Sequence, residues 1–208
     1  PHYPLKDTGI MKLLRNAVFA VVAIGLVLIA ALFTYQYLNR GTDKSLMADS
    51  ELGAPFNLID HDGNPITEAA FKGKPTLVYF GFTRCPEVCP TTFYEMAGWF
   101  DTLGDKGKDL QAFFITVDPE RDTPEIMKGF AEAFTDRATG ITGDPEKVWN
   151  LLAAWHVYYK KIYDEDGDYT MDHTASVFLV DRNGRFKGTI AYGENTETAI
   201  AKLERLIQ

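Results

Sequence analysis

The chain has 208 residues, 21 Lys+Arg against 29 Asp+Glu for a formal net charge of −8, and 46% hydrophobic residues. This length holds one ordinary domain with an appendage, or two small domains at most, and the composition excludes wholesale disorder and collagen-like repetition. The acidic balance argues against a nucleic-acid binder, which needs a basic face, and two cysteines are too few for a disulfide scaffold and must be explained as a pair.

From Ala17 to Phe33 the sequence reads AVFAVVAIGLVLIAALF, without a polar side chain. Carried on to Leu38, the helix would be about 33 Å long, enough to cross a hydrocarbon core of about 30 Å. Tyr35 and Tyr37 stand where an interfacial aromatic belt belongs. A cleaved signal peptide would have a shorter apolar region and a small-x-small site, and FTYQYLNR offers none, so residues 12–38 read as an uncleaved transmembrane anchor. Lys6, Lys12 and Arg15 precede the span, and Arg40 and Lys44 follow it. The bias favours the N-terminus inside and the rest exported, a single-pass protein whose soluble domain faces a disulfide-permissive compartment. Met11 opens MKLLRNAVFA like a natural start, so residues 1–11 are set aside as an upstream or non-native segment. Residues 39–50 read as a polar linker and residues 51–208 as the exported domain. Without residues 1–44 the chain keeps 16 basic and 27 acidic groups, a net charge of −11.

In the exported part, FNLID-HDGN-PIT predicts two short strands around an Asp62-Gly63 turn. PTLVYFGF, residues 75–82, is a continuous apolar run with the character of a strand buried on both faces. A helix follows from about Pro90 to Leu103, with Pro90 at its first position. QAFFITV is the next buried strand. DPERDTPEIMKGFAEAF is a loop entering a helix, with Thr123 as N-cap, Pro124 at its first position and Glu125 in its first turn. DPEKVWNLLAAW is a helix, HVYYKKIY and SVFLV are strands, DRNG is a hairpin turn to RFKGTIAY, and ETAIAKLERLI is a terminal amphipathic helix. This order predicts an α/β fold: a thioredoxin-like domain with a central mixed sheet, an added N-terminal hairpin and an added helix at Pro145, preceded by one transmembrane helix.

Both cysteines, Cys85 and Cys89, fall in FTRCPEVCPTT, between the first buried strand and its helix. Binding sites form at this place in open α/β sheets. If the loop coils into a helical turn, a spacing of four points both sulfurs to one side, and the helix N-terminus, with Arg84, would favour thiolates. Such a pair can oxidise to a disulfide or hold a soft metal such as Cu(I); the alternative is two inert buried cysteines. Dithiol oxidoreductases of this fold use Cys-x-x-Cys, whereas three residues separate the pair here. Two ligands fall short of a structural zinc site, so a further ligand must come from elsewhere.

Four histidines are available. His2 lies in the segment set aside, His61 reads as solvated in a turn, and His156 reads as packed at a helix–strand junction. His173 stands in YTMDHTASVFLV, in a loop before a strand that a thioredoxin-like sheet brings beside the cysteine turn. Cys85, Cys89 and His173 would make an S₂N set suited to copper, one ion per chain. Asp118 and Asp122, in VDPERDTPE, are candidates to support the ligands from behind, the alternative being helix capping and loop geometry. DEDGDY, residues 164–169, departs from the calcium-loop template and reads as an acidic solvated loop.

CPEVCP, followed by ITVDPERDTPE and then DHTASVFLVDRNG, resembles the Sco (SenC) family of membrane-anchored copper chaperones, from about residue 50 to the end. The resemblance implies copper bound through Cys85, Cys89 and His173. It also implies a role at the binuclear copper site of cytochrome c oxidase subunit II, by delivering copper, by reducing that site's cysteines, or both. The partners implied are that subunit or its apo copper site, other copper chaperones or thiol reductants, and the membrane; no nucleic acid is expected. The first reading is therefore a metal-binding assembly factor rather than a turnover enzyme. The competing reading is a membrane-tethered thiol-disulfide oxidoreductase. It is the weaker one, because thioredoxins place a cis-proline before the strand facing the dithiol and DHTASVF contains no proline.

Overall fold

The structure, a computed structural model, describes residues 8–39 and 55–208. The N-terminal portion and the remainder are separate units. Most of the expected linker, and residues 1–7 of the expected upstream segment, lie outside the described residues.

The first unit is one helix, α1 (Thr8–Asn39), about 48 Å long at ~1.5 Å per residue. Leu13–Leu32 is long and apolar enough to cross a membrane, and its large apolar side chains are exposed on all sides. Water would penalise such a surface and lipid would not. The Thr34 hydroxyl donates to the Ala30 carbonyl within the helix, so its polar atom needs no outside partner. The helix begins before the expected anchor and takes in residues 8–11.

The second unit is built on a seven-stranded mixed sheet in the order β2-β1-β5-β4-β3-β8-β9. Its strands are β1 (Leu58–Asp60), β2 (Pro65–Ile66), β3 (Thr76–Gly81), β4 (Gln111–Thr116), β5 (Ala138–Thr142), β8 (Ser176–Val180) and β9 (Phe186–Ala191). The central strand β3 is buried along its whole length, which is why its sequence is a continuous apolar run rather than an alternation. It pairs parallel to β4 and antiparallel to β8. The β1–β2 hairpin is added at the edge through β5, as expected.

Helices α2 (Val88–Leu103), α3 (Pro124–Glu132), α4 (Pro145–Ala154) and α5 (Thr196–Ile207) complete the unit. On one sheet face Phe114 packs against Phe93 of α2, with ring centroids 4.9 Å apart, and stacks on Phe130 of α3 at 5.3 Å. On the other, Phe80 and Phe178 meet Trp155 at 5.4 and 5.6 Å, and Phe71 joins them at 5.7 Å. Sheet residues of alternate parity thus supply two aromatic layers, one under α3 and under α2, the helix that carries Cys89.

Several expectations hold in detail. Thr123 caps α3 by accepting from the Ile126 N–H, with Pro124 at the first position and Glu125 in the first turn. Asp144, in the Asp-Pro that opens α4, caps that helix in the same way, and Asn195, which the sequence reading does not single out, caps α5.

Others need correction. β5 was not expected: ATGIT carries a single large apolar residue and a glycine, because Gly140 runs against Met127 and His61, where a Cβ would lie 2.8 and 3.3 Å from their Cβ atoms. HVYYKKIY does form a strand, β6 (Tyr159–Tyr163), but it leaves the central sheet to pair with β7 (Tyr169–His173) in a two-stranded ribbon. His173 therefore ends a strand rather than sitting in a loop. The acidic segment Asp164–Asp168 is the turn of that ribbon, with the Asp164 carboxylate accepting the N–H groups of Asp166 and Asp168.

Two histidines are also placed differently. His156 is exposed, not packed, and takes a left-handed backbone with φ 53°. It closes α4: its N–H donates to the Ala153 carbonyl and the next N–H, of Val157, to the Leu152 carbonyl, a double closure usually built on glycine. The His61 side chain is only 11% exposed, and its Nδ1 accepts the Gly140 N–H across 3.1 Å. An unsuspected β5 supplied that donor.

Candidate metal centre

The site begins with the way α2 starts. A helix leaves its first N–H groups without intrahelical partners. Glu87, the N-cap residue, makes no side-chain capping bond. Instead the Cys89 N–H donates to Cys85 Sγ across 3.3 Å, so a sulfur does the work usually given to a capping oxygen. This explains the spacing of four, and it starts the helix at Val88, two residues ahead of the expected Pro90. Cys85 is half-buried and Cys89 is buried completely.

His173 arrives from β7. Its Nδ1 lies 3.0 Å from the Thr174 carbonyl oxygen, which can only accept, so Nδ1 is the donor there and Nε2 is the nitrogen turned toward the sulfurs. Nε2 is 3.6 Å from Cys89 Sγ. The imidazole stands edge-on to the ring of Phe82, with centroids 5.7 Å apart. The ligand atoms of Cys85, Cys89 and His173 all lie within 4.8 Å of one another, so the three residues could hold one metal ion.

The electrostatics of the two sulfurs diverge. The Cys85 thiol is held down at about 4 by the hydrogen bond from the Cys89 thiol, against the effect of burial, with His173 and the backbone N–H groups of Cys89 and Glu87 adding to it. Cys89 is pushed far above the ordinary thiol range by that same shared hydrogen bond and by burial. Near neutral pH the pair therefore keeps one proton, on the inner sulfur, and presents a thiolate outward. The helix N-terminus acts here as expected, through a named N–H. Arg84 is exposed, and the groups that lower Cys85 are the other ones.

Asp118 and Asp122 are both 1% exposed, and their carboxylates bond to Thr83, Thr116, Arg121 and Tyr169 rather than to the three ligand residues. Asp122 accepts from the Thr83 hydroxyl at 2.6 Å, from the Thr83 N–H at 3.2 Å and from the Thr116 hydroxyl at 2.6 Å. Its carboxyl is raised by burial, with the threonine hydrogen bonds opposing. Asp118 pairs with Arg121 and accepts from the Tyr169 hydroxyl at 2.8 Å. Arg121 lies over the Tyr169 ring, 3.6 Å from its centroid, and donates to the Tyr169 carbonyl. One short turn thus grips both the cysteine loop and the ribbon that ends at His173.

Sequence reasoning passed over Tyr79, Thr83, Arg121 and Tyr169. A tyrosine inside a strand buried on both faces was the available signal, since its hydroxyl has to find a partner. Here the Tyr79 hydroxyl donates to Cys89 Sγ across 3.4 Å. Burial first, then the neighbouring sulfur, pushes that phenol far above its ordinary range and keeps it a donor.

The SCO1/SenC family model matches residues 44–208. The chain is 34% identical over 188 residues to the mitochondrial protein SCO2 of Saccharomyces cerevisiae, covering 84% of this chain and 62% of that one. It is 31% identical over 186 residues to an SCO2-like protein of Rickettsia conorii, covering 85% and 90%. Against the structure of Bradyrhizobium japonicum ScoI with copper bound, the TM-score is 0.69 at 43% identity, covering 74% of this chain and 99% of that one. The chain therefore spans about three-fifths of the length of its yeast relative and nine-tenths of that of its rickettsial one. The thioredoxin-like α/β fold is shared with these structures, and the chain belongs to the SCO1/SenC family.

Proposed function

We propose that this protein binds one copper ion through Cys85, Cys89 and His173 and serves in the assembly of cytochrome c oxidase, held to the membrane by residues 12–38 with residues 51–208 as its copper-binding domain. The carrying observation is the convergence of the three ligand atoms within 4.8 Å. Two soft sulfurs and one imidazole suit Cu(I) better than harder ions. The Bradyrhizobium protein, 43% identical, has been seen with copper bound.

Copper is cargo in this reading. The outward thiolate of Cys85 and the lone pair of His173 Nε2 receive it, and an apo site on the target withdraws it by ligand exchange. Oxidation of Cys85 and Cys89 to a disulfide removes two of the three ligands, so the redox state of the pair gates occupancy. The acceptor is the binuclear copper site of cytochrome c oxidase subunit II, or the cysteines of that site when they need reduction. The apolar helix α1 supports an inner-membrane anchor, and the basic residues before it support a periplasmic domain.

A second reading, a thiol-disulfide oxidoreductase, draws on the asymmetry between a half-exposed low-pKa Cys85 and a buried Cys89. An anaerobic Cu(I) competition titration of the reduced full chain in detergent, beside His173→Ala, separates the two. One tight equivalent that weakens in the variant supports copper carriage. Weak, non-stoichiometric binding unaffected by His173→Ala overturns it and leaves the cysteines to redox work.

A further inference from the structure

Tyr79 and Gly81 are two positions apart on β3, so they face the same side of the sheet. That side meets the start of α2, where the Cys89 side chain points inward. Tyr79 is 1% exposed and its hydroxyl donates to Cys89 Sγ. At Gly81 an added Cβ would lie 2.8 Å from Cys89 Sγ and 3.0 Å from ring carbons of both Phe114 and Tyr79. The rings are packed on each other with centroids 6.0 Å apart, so the sulfur would have to give way. A glycine in a strand marks such a close approach. Phenylalanine at position 79 would fill the same apolar layer, so packing alone does not call for the hydroxyl.

We propose that Tyr79 and Gly81 are positioning residues for Cys89: the empty side-chain position at Gly81 seats the inner sulfur against β3, and the Tyr79 hydroxyl is its fixed hydrogen-bond donor. The part of this inference that concerns copper rests on the copper-binding reading above. Cys85 has a different environment, since its sulfur accepts the Cys89 backbone N–H at the helix start and is partly open to solvent. The two sulfurs are thereby made unequal ligands. A donor on Cys89 draws electron density from the sulfur, which weakens its donation to Cu(II) more than to Cu(I) and favours the reduced ion. In the metal-free pair the same donor favours the dithiol, because a disulfide sulfur is a poorer acceptor.

The test is Tyr79→Phe in the full chain, beside the wild type and Gly81→Ala, with thermal unfolding as the check on folding. In the metal-free protein the pair is equilibrated with glutathione: the dithiol passes two electrons to oxidised glutathione, giving the Cys85–Cys89 disulfide and two reduced glutathiones. Tyr79→Phe is expected to shift this equilibrium toward the disulfide by roughly three- to tenfold, the worth of one hydrogen bond. The sulfur-to-copper charge-transfer absorption of the Cu(II)-loaded variant should move to longer wavelength. Gly81→Ala should displace the sulfur and change both readouts. An unchanged equilibrium and an unchanged absorption in a folded Tyr79→Phe protein would overturn the inference. If that variant does not fold, wild-type values in Gly81→Ala overturn it instead. A wild type that binds no copper defeats the copper reading, and the glutathione equilibrium still decides the role of Tyr79.

Discussion

The Asp122 carboxylate accepts both the hydroxyl and the backbone N–H of Thr83, two residues before Cys85 and 39 positions away from Asp122 in the chain. With the Thr116 hydroxyl also bonded to it, this carboxylate fastens the cysteine loop to the end of β4. One and four positions earlier in the same turn, Arg121 and Asp118 hold Tyr169 of the ribbon. The ligand set is thus assembled from two distant segments by a turn that contributes no ligand itself.

Asp122→Asn keeps the shape but cannot accept from all of these donors. Stability is expected to fall by about 1–3 kcal/mol, the cost of a buried donor left unpaired, read as a lower denaturation midpoint at unchanged slope. The pH dependence has a definite sign. Burial raises the folded-state value of Asp122 above its ordinary 3.8, so the folded chain holds this proton more firmly than the unfolded chain does. Its favourable contribution is complete below the ordinary value and is lost as pH rises through the raised one. The stability difference between wild type and Asp122→Asn should therefore shrink as pH climbs from about 4 toward neutrality. A difference that grows over that range would contradict the assignment.

Arg121→Ala leaves Asp118, 1% exposed, without its cation. Removing one partner of a buried pair costs about 3–5 kcal/mol. The loss should be local as well as global, because Arg121 also covers the Tyr169 ring and bonds its carbonyl. Amide hydrogen exchange over Tyr159–His173 is expected to speed up more than exchange in β3 or β4. Equal acceleration everywhere would mean that Arg121 does not specifically hold the ribbon.

The parts of this architecture legible in the sequence are those in which local and tertiary requirements coincide. β3 and β8 are buried and read as apolar runs, while Thr123 and Asp144 announce their helices because the proline after each lacks an N–H to satisfy. Cys85, Cys89 and His173 were readable as a set from residue type and place. What stayed hidden depends on partners remote in sequence. β5 is small because Gly140 must pass Met127 and His61. β7 packs chiefly through Met171 on a ribbon outside the main sheet, so no apolar pattern marks it. The start of α2 was misread at Pro90 because the capping group is a sulfur, which no capping preference includes.

His156 gives a prediction that follows from backbone geometry alone. A non-glycine residue in the left-handed region costs about 1–2 kcal/mol, and His156 sits there at φ 53° while its side chain is exposed. His156→Gly should raise stability by about 1 kcal/mol, moving the melting temperature up by roughly 2–4 °C for a chain of this size. Copper binding should not change. A loss of stability, or weakened Cu(I) binding, would show that the His156 side chain makes contacts its exposure denies.

The last prediction concerns the inequality of the two thiols in the reduced, metal-free protein. Cys85 is half-buried with its thiol held at about 4, whereas Cys89 is fully buried and shifted upward. Iodoacetamide should therefore modify Cys85 first, with a rate half-maximal near pH 4 and flat through neutrality, and should reach Cys89 only on unfolding. The largest contribution to the low value is the hydrogen bond from the Cys89 thiol. In Cys89→Ala that donor is gone, and the midpoint for Cys85 should move up toward the ordinary thiol range, while His173 and the backbone N–H groups keep it from arriving there. The direction is what matters for function. A chain that needed both thiols deprotonated in advance would capture metal poorly at neutral pH. A chain holding one thiolate outward and one proton inward can bind through Cys85 and then release the Cys89 proton as the second sulfur closes on the ion. Peptide mapping of the alkylated protein across pH reads this, and preferential modification of Cys89 would reverse the order proposed here.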